Sequence, residues 1–120
     1  MNTRRKISKL LAVASLCAPM ALMAQAFPSK PITLVVPVPP GGLVDTSARL
    51  ISEPLGRLIG QSIVVDNKGG ASGNLAYQQV ARSAKDGHTL LVSYSGYHVA
   101  NPILMSKLPW ELKDLTPVGL

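Results

Sequence analysis

Ile32-Thr33-Leu34-Val35-Val36 is a β-branched, almost wholly apolar run, and Pro37-Val38-Pro39-Pro40-Gly41-Gly42 follows it directly. This junction constrains the fold more than any other feature of the chain. A run without polar alternation fits a strand buried on both faces, as in a parallel sheet. The prolines and glycines close the strand. Beyond them Val44, Ala48, Ile51, Leu55 and Leu58 or Ile59 recur at helical spacing, so one helix face is apolar. Gly60 supplies the stop. Pro54 falls inside that helix, where proline removes a hydrogen bond and costs about 3 kcal/mol. A kink or a helix in two parts is expected there.

The same order recurs downstream. Ser62 to Asp66 reads as a second strand and Asn67 to Gly73 as a second glycine-rich turn. Asn74 to Ala84 reads as a helix with Ala76, Tyr77, Val80, Ala81 and Ala84 on one side. Asp86-Gly87 marks a turn. His88 to Ser93 reads as a third strand, with His88 leading into it, and Tyr94 to His98 as a third loop. A short helix interrupted at Asn101-Pro102 is expected over Val99 to Ser106. Leu108-Pro109-Trp110 is irregular, and Leu115 to Leu120 reads as the start of a fourth strand. Alternating strand, loop and helix predict an open, mainly parallel α/β sheet. Ligands of such sheets bind beyond the carboxyl ends of the strands. All three loops fall at that edge.

The first 26 residues carry a different signal. Arg4, Arg5, Lys6 and Lys9 form a basic segment, Leu10 to Met23 is uncharged and apolar, and Ala24-Gln25-Ala26 fits a cleavage site. That order is the export-signal pattern, and the apolar run is short for a membrane span. Residues 1–26 are therefore expected to be a cleaved signal peptide, with residues 27–120 as the product. The whole chain has 12 Lys+Arg against 6 Asp+Glu. Four of the basic residues lie in the leader, which leaves eight against six and a net charge of +2. No clustered basic face remains to suggest nucleic acid. Cys17, the one cysteine, also lies in the leader. The product would then have no thiol, which suits an exported protein and excludes cysteine catalysis.

The loops themselves suggest binding. Gly41 and Gly42 let backbone N–H groups approach a ligand with no Cβ in the way. The following helix aims its unpaired N–H groups at the same place, which makes a seat for an anion. Pro37, Pro39 and Pro40 stiffen the loop. Asp45 either accepts N–H bonds near the helix start and holds the loop in shape, or contacts a ligand's amine or hydroxyl. A tight connection with no ligand is the competing reading of this loop alone. Gly69-Gly70-Ala71-Ser72-Gly73-Asn74 adds weight by repeating the arrangement, with Ser72 as a candidate cap and hydroxyl donor.

Other chemistries fit less well. Gly70 and Gly73 supply half of a dinucleotide fingerprint, but the region near Leu90 has no acid. Gly70-Ala71-Ser72-Gly73 begins like a nucleophile elbow, but Asn74 stands where glycine is needed. His88 and His98 are too few and too far apart for zinc. His98 is a candidate cleft residue or a simple loop histidine; Trp110 and Tyr97 read as packing anchors. No nucleophile and base can be paired, so neither catalytic residues, a cofactor nor a metal is expected. A Rossmann-like enzyme fragment binding a nucleotide or coenzyme, and a truncated remnant without function, are the alternatives.

Phe27-Pro28-Ser29-Lys30-Pro31-Ile32-Thr33-Leu34-Val35-Val36-Pro37, with Pro39-Pro40-Gly41-Gly42 and Asp45, resembles the start of the Bug family. These are periplasmic solute-binding proteins of tripartite tricarboxylate transporters. The resemblance continues through Ala48-Arg49, Leu58 to Gln61, Val64 to Lys68, Gly70 to Gly73, Asp86 to Leu91, Asn101-Pro102 and Leu115 to Val118. It implies a lobe of a periplasmic-binding-protein-like Venus-flytrap fold. It implies a small carboxylate ligand, membrane permease subunits as partners of the full-length form, and a periplasmic location. By position it implicates Pro40, Gly41, Gly42 and Asp45, then Gly70, Ala71, Ser72 and Gly73, and finally Ser93, Tyr94 and Ser95. Val38 stands where the family usually has an aromatic residue. Gly69 stands where proline is common, which is expected to loosen the second loop. Residues 27–120 would be the N-terminal part of the first lobe, and one partial lobe is expected to bind weakly or not at all by itself.

Overall fold

The computed structural model describes residues 26–119. The expectations for the basic segment, the apolar run and Cys17 fall on residues 1–25 and lie outside the described residues. Five principal elements set the frame. They are strand β1 (Ile32–Val36), helix α1 (Leu43–Ile59), strand β2 (Ile63–Asn67), helix α2 (Asn74–Ala81) and strand β3 (Thr89–Leu91). Two short helices follow, α3 (Ser95–His98) and α4 (Ala100–Leu104). Single 3-10 turns occupy Ala71–Gly73 and Leu112–Asp114.

The sheet is parallel, in the order β2-β1-β3. Val35 lies opposite Asp66 on one side and Leu91 on the other. Burial follows from that order. In central β1, Ile32, Leu34, Val35 and Val36 are buried. In edge strand β2, Val64 is 51% exposed. The core joins Val35 to Ala76 and Val80 of α2, with Leu91 and Leu115 packed against it. Tyr77, fully buried, stacks on Trp110 with ring centroids 4.6 Å apart. Trp110 is thus a packing anchor, as its sequence context suggested.

Several boundaries differ from the sequence reading. Helix α1 is one unbroken element of 17 residues with Pro54 inside it. Pro54 and Leu50 are both exposed, so the carbonyl that loses its N–H partner opens to water. Ala48 is fully buried, but Ile51 and Leu58 are 51% and 83% exposed. A three-stranded sheet offers α1 only β1 and β2 to pack on, and the buried stripe narrows accordingly. Helix α2 stops at Ala81, leaving Ala84 outside and exposed. Helix α4 runs through Asn101-Pro102 without a break. Pro102 sits in its first turn, where an N–H has no helical acceptor to lose. The segment from Leu115 to Gly119 forms no strand. Leu115 packs on the core cluster instead.

Candidate functional site

Parallel strands bring the three loops to one edge of the sheet, beyond Val36, Asn67 and Leu91. The first loop is held from below by Asp45. This carboxylate is 2% exposed. Its Oδ2 accepts the Gly41 N–H at 2.8 Å, Arg49 Nε reaches both oxygens at 3.0 and 3.1 Å, and Asn67 Nδ2 donates to Oδ1 at 2.9 Å. The Arg49 bond above all, then the Gly41 and Asn67 bonds, hold the carboxyl down at about 2. Of the two roles open to Asp45 on sequence, the geometry favours holding the loop, because both oxygens are occupied.

Asn67 ties the second loop to the first. Its Nδ2 also donates to the Val38 carbonyl at 3.0 Å, and the Lys68 N–H donates to the Val36 carbonyl at 2.8 Å. Gly69 then passes so close to Pro39 that a Cβ here would lie 3.2 Å from the proline Cδ. Gly69 therefore permits a close approach of two loops. The loosening expected from a glycine in a proline position is not what the packing shows.

The second loop is a left-handed turn. Gly70 has φ +113°, Ala71 +49°, Ser72 +53° and Gly73 +78°, and the Gly73 N–H closes the turn on the Gly70 carbonyl at 2.9 Å. Gly73 must be glycine for a second reason. A Cβ there would lie 2.2 Å from Cδ2 of Tyr97. Tyr97 belongs to α3, so the third loop lies directly against the second. Gly73 itself precedes α2 as its N-cap, and no side chain caps that helix. Ser72 is thus not the cap that its position suggested; its side chain is exposed.

The third loop begins at Ser93, whose hydroxyl pairs with the Tyr77 hydroxyl. Burial holds that Tyr77 hydroxyl above its ordinary value. Tyr94 precedes α3, its carbonyl accepts the N–H groups of Tyr97 and His98, and its ring packs on Tyr97 with centroids 4.7 Å apart. Ser95 is exposed. His98 turns toward Tyr77 and Trp110, with centroids 6.1 and 6.3 Å away.

The structure therefore gathers Pro40, Gly41, Gly42, Gly70, Ala71, Ser72, Gly73, Ser93, Tyr94 and Ser95 at one edge, with Asp45 beneath them. It corrects one part of the sequence argument: the Gly41 and Gly73 N–H groups are used inside the loops. Among the described residues, those of Gly42, Ala71 and Ser72 donate no hydrogen bond. Side-chain cations near the loops are engaged: Arg49 by Asp45 and Asn67, Lys68 by Asp66 at 3.4 Å. What the edge offers a ligand is uncharged amide dipole plus the N-terminus of α1. Sequence reasoning missed Asn67, Asn74 and Asn101. Arg49 was legible as the partner of Asp45 four residues earlier. An open hollow between α1 and β2 is lined by Arg49, Ser52, Gly56, Gln61, Ser62 and Ile63 among others.

Comparison with known proteins agrees with this architecture. The family model described as "Tripartite tricarboxylate transporter family receptor" matches residues 47–120. Protein BugT of Bordetella pertussis is 38% identical over 125 residues, which take in all of this chain and 38% of BugT. MatC of Rhodopseudomonas palustris, solved with bound malate, superposes with a TM-score of 0.68 at 45% identity, over 71% of this chain and 29% of MatC. A second R. palustris protein, solved with adipate, gives 0.53 at 46% identity over 54% of this chain and 22% of its own. The chain thus spans under two fifths of the length of these relatives. With its parallel α/β frame, its periplasmic-binding-protein neighbours and its match over residues 47–120, the chain belongs to the tripartite tricarboxylate transporter receptor family, of which the Bug proteins are members.

Proposed function

We propose that this chain is the ligand-facing N-terminal part of the first lobe of a periplasmic solute-binding protein for small carboxylates, and that residues 1–26 are its export signal. Full-length, such a protein hands its ligand to permease subunits of the membrane transporter. It binds and does not catalyse. The single observation that carries this reading is that the Gly42, Ala71 and Ser72 amides, which donate no hydrogen bond among the described residues, lie in loops beyond adjacent strand tips, one of them at a helix N-terminus. Such a seat neutralises a carboxylate by fixed dipoles and leaves no side-chain cation to be displaced. Relatives solved with malate and adipate support the ligand class. The half-missing Rossmann fingerprint gives the coenzyme alternative nothing comparable.

One lobe of a two-lobed clamp offers about half the contacts, so affinity is expected to be low and the test must tolerate that. Malate and adipate are titrated into residues 27–120 labelled with 15N. Amide shifts concentrated at Gly41, Gly42 and residues 70–73 support the proposal. Saturating shifts elsewhere on the lobe would refute it.

A further inference from the structure

The second loop carries two consecutive L-residues, Ala71 and Ser72, at positive φ. L-residues rarely sit there, because Cβ crowds the carbonyl oxygen. A conformation of this kind persists only where surrounding structure over-determines it. The closing bond from Gly73 to Gly70 is local and would form in other turns too. Among the described residues, the one side chain bonded to this strained pair comes from much further along the chain. Asn101, in α4, donates from Nδ2 to the Ser72 carbonyl at 2.8 Å.

Asn101 is itself held. It is 5% exposed, and its Nδ2 also lies 3.3 Å from Oδ1 of Asn74. That same oxygen accepts Trp110 Nε1 at 2.7 Å, and Asn74 Nδ2 donates to Met105 Sδ at 3.2 Å. Asn74 and Trp110 are each 3% exposed. Three segments distant in sequence thus meet in a buried amide network that ends on the carbonyl of Ser72. An apolar side chain could fill the space of Asn101 but could not grip that carbonyl.

We infer that Asn101 is a positioning residue for the ligand loop, holding Ala71 and Ser72 in the left-handed conformation that leaves their N–H groups unbonded. This rests on the proposed function for its consequence but not for its geometry. Asn101 touches no ligand; it acts through Ser72. Asn74 and Trp110 fix the amide that does so.

The test separates the two readings. In the 15N- and 13C-labelled chain, HN–Hα couplings and Cα shifts report whether residues 71 and 72 are left-handed. Asn101→Leu keeps volume and removes the donor; Asn101→Asp keeps shape and turns the donor into an acceptor. Both are expected to shift Ala71 and Ser72 out of the left-handed region while shifts in β1 and β3 stay in place. Malate affinity is expected to fall at least tenfold. Adding Ala71→Gly to Asn101→Leu is expected to recover part of that loss, since glycine takes positive φ freely. Rescue of this kind would not follow from a merely structural role. Left-handed couplings that persist in either folded variant overturn the proposal. Global unfolding of both variants overturns it too, by assigning Asn101 to general stability. If acid binds the parent chain away from these loops, the functional reading falls, and the couplings still judge Asn101.

Discussion

Replacing Gly73 with alanine tests the central geometry, because two separable effects act there. The first is backbone conformation. At φ +78°, a Cβ costs about 1–2 kcal/mol. The second is the Tyr97 ring, whose Cδ2 would lie 2.2 Å from that Cβ. Ordinary contact begins at 3.4 Å, so the ring must retreat by more than an ångström, at an overpacking cost of about 1–3 kcal/mol. Gly73→Ala should therefore destabilise by about 2–5 kcal/mol, a large share of a small domain's stability. Gly41→Ala supplies the control. Its φ is +88°, but nothing lies within 4 Å of the added atom, so only the first cost of about 1–2 kcal/mol applies. Truncating the ring should erase the difference. In a double-mutant cycle Gly73→Ala and Tyr97→Ala should couple by about 1–3 kcal/mol. Urea unfolding read on Trp110, the chain's one tryptophan and 3% exposed, measures all four variants. If Gly73→Ala matches Gly41→Ala within error, or the cycle shows no coupling, the placement of Tyr97 over the second loop is wrong.

Three further outcomes are expected. Pro54→Ala should stabilise α1 by about 1–3 kcal/mol, since proline inside a helix costs about 3 kcal/mol and part of that returns as unfolded-state entropy; an unchanged urea midpoint would contradict an unbroken α1. Asn74→Ala removes the acceptor of Trp110 Nε1 and should cost about 1–3 kcal/mol by leaving a buried donor unpaired, with a shift in Trp110 emission as the readout. Asp45 governs part of the acid limb. Its folded value of about 2 lies below its ordinary 3.8, so its stabilising contribution is complete above about pH 5 and is lost as pH falls toward 2. Asp86, held down to about 2 chiefly by Lys30, adds to the same limb. Asp45→Asn should flatten the loss of stability between pH 5 and 2 without abolishing it; an acid limb identical to the parent's would show that Asp45 is not so engaged.

Much of the frame was legible in the residues. The apolar run at 32–36, the glycine stops and the alternation of periods reported a parallel sheet, because such patterns reflect local backbone preference and burial on two faces. Placing the loops at one edge followed from topology alone. Asp45 as a loop holder was also legible, since an acid three residues into a helix can reach back to the preceding N–H groups. Boundaries were less so. Pro54 and Asn101-Pro102 read as breaks, but one proline faces water and the other falls in a first turn. Leu115 to Gly119 has a strand's composition, but Leu115 packs on the core cluster and the segment forms no strand.

The sequence by itself determined the three parallel strands at the centre of the fold and the glycine-rich loops that follow the first two of them. Tertiary structure alone decided how the loops are tied to one another, because bonds such as Asn67 to Asp45 join residues 22 apart in sequence. It alone brought Asn101 to Ser72 and Tyr97 over Gly73, across 29 residues in the first case. Contacts at that separation leave no periodic trace. They exist only once the parallel strands have carried distant loops to a common edge.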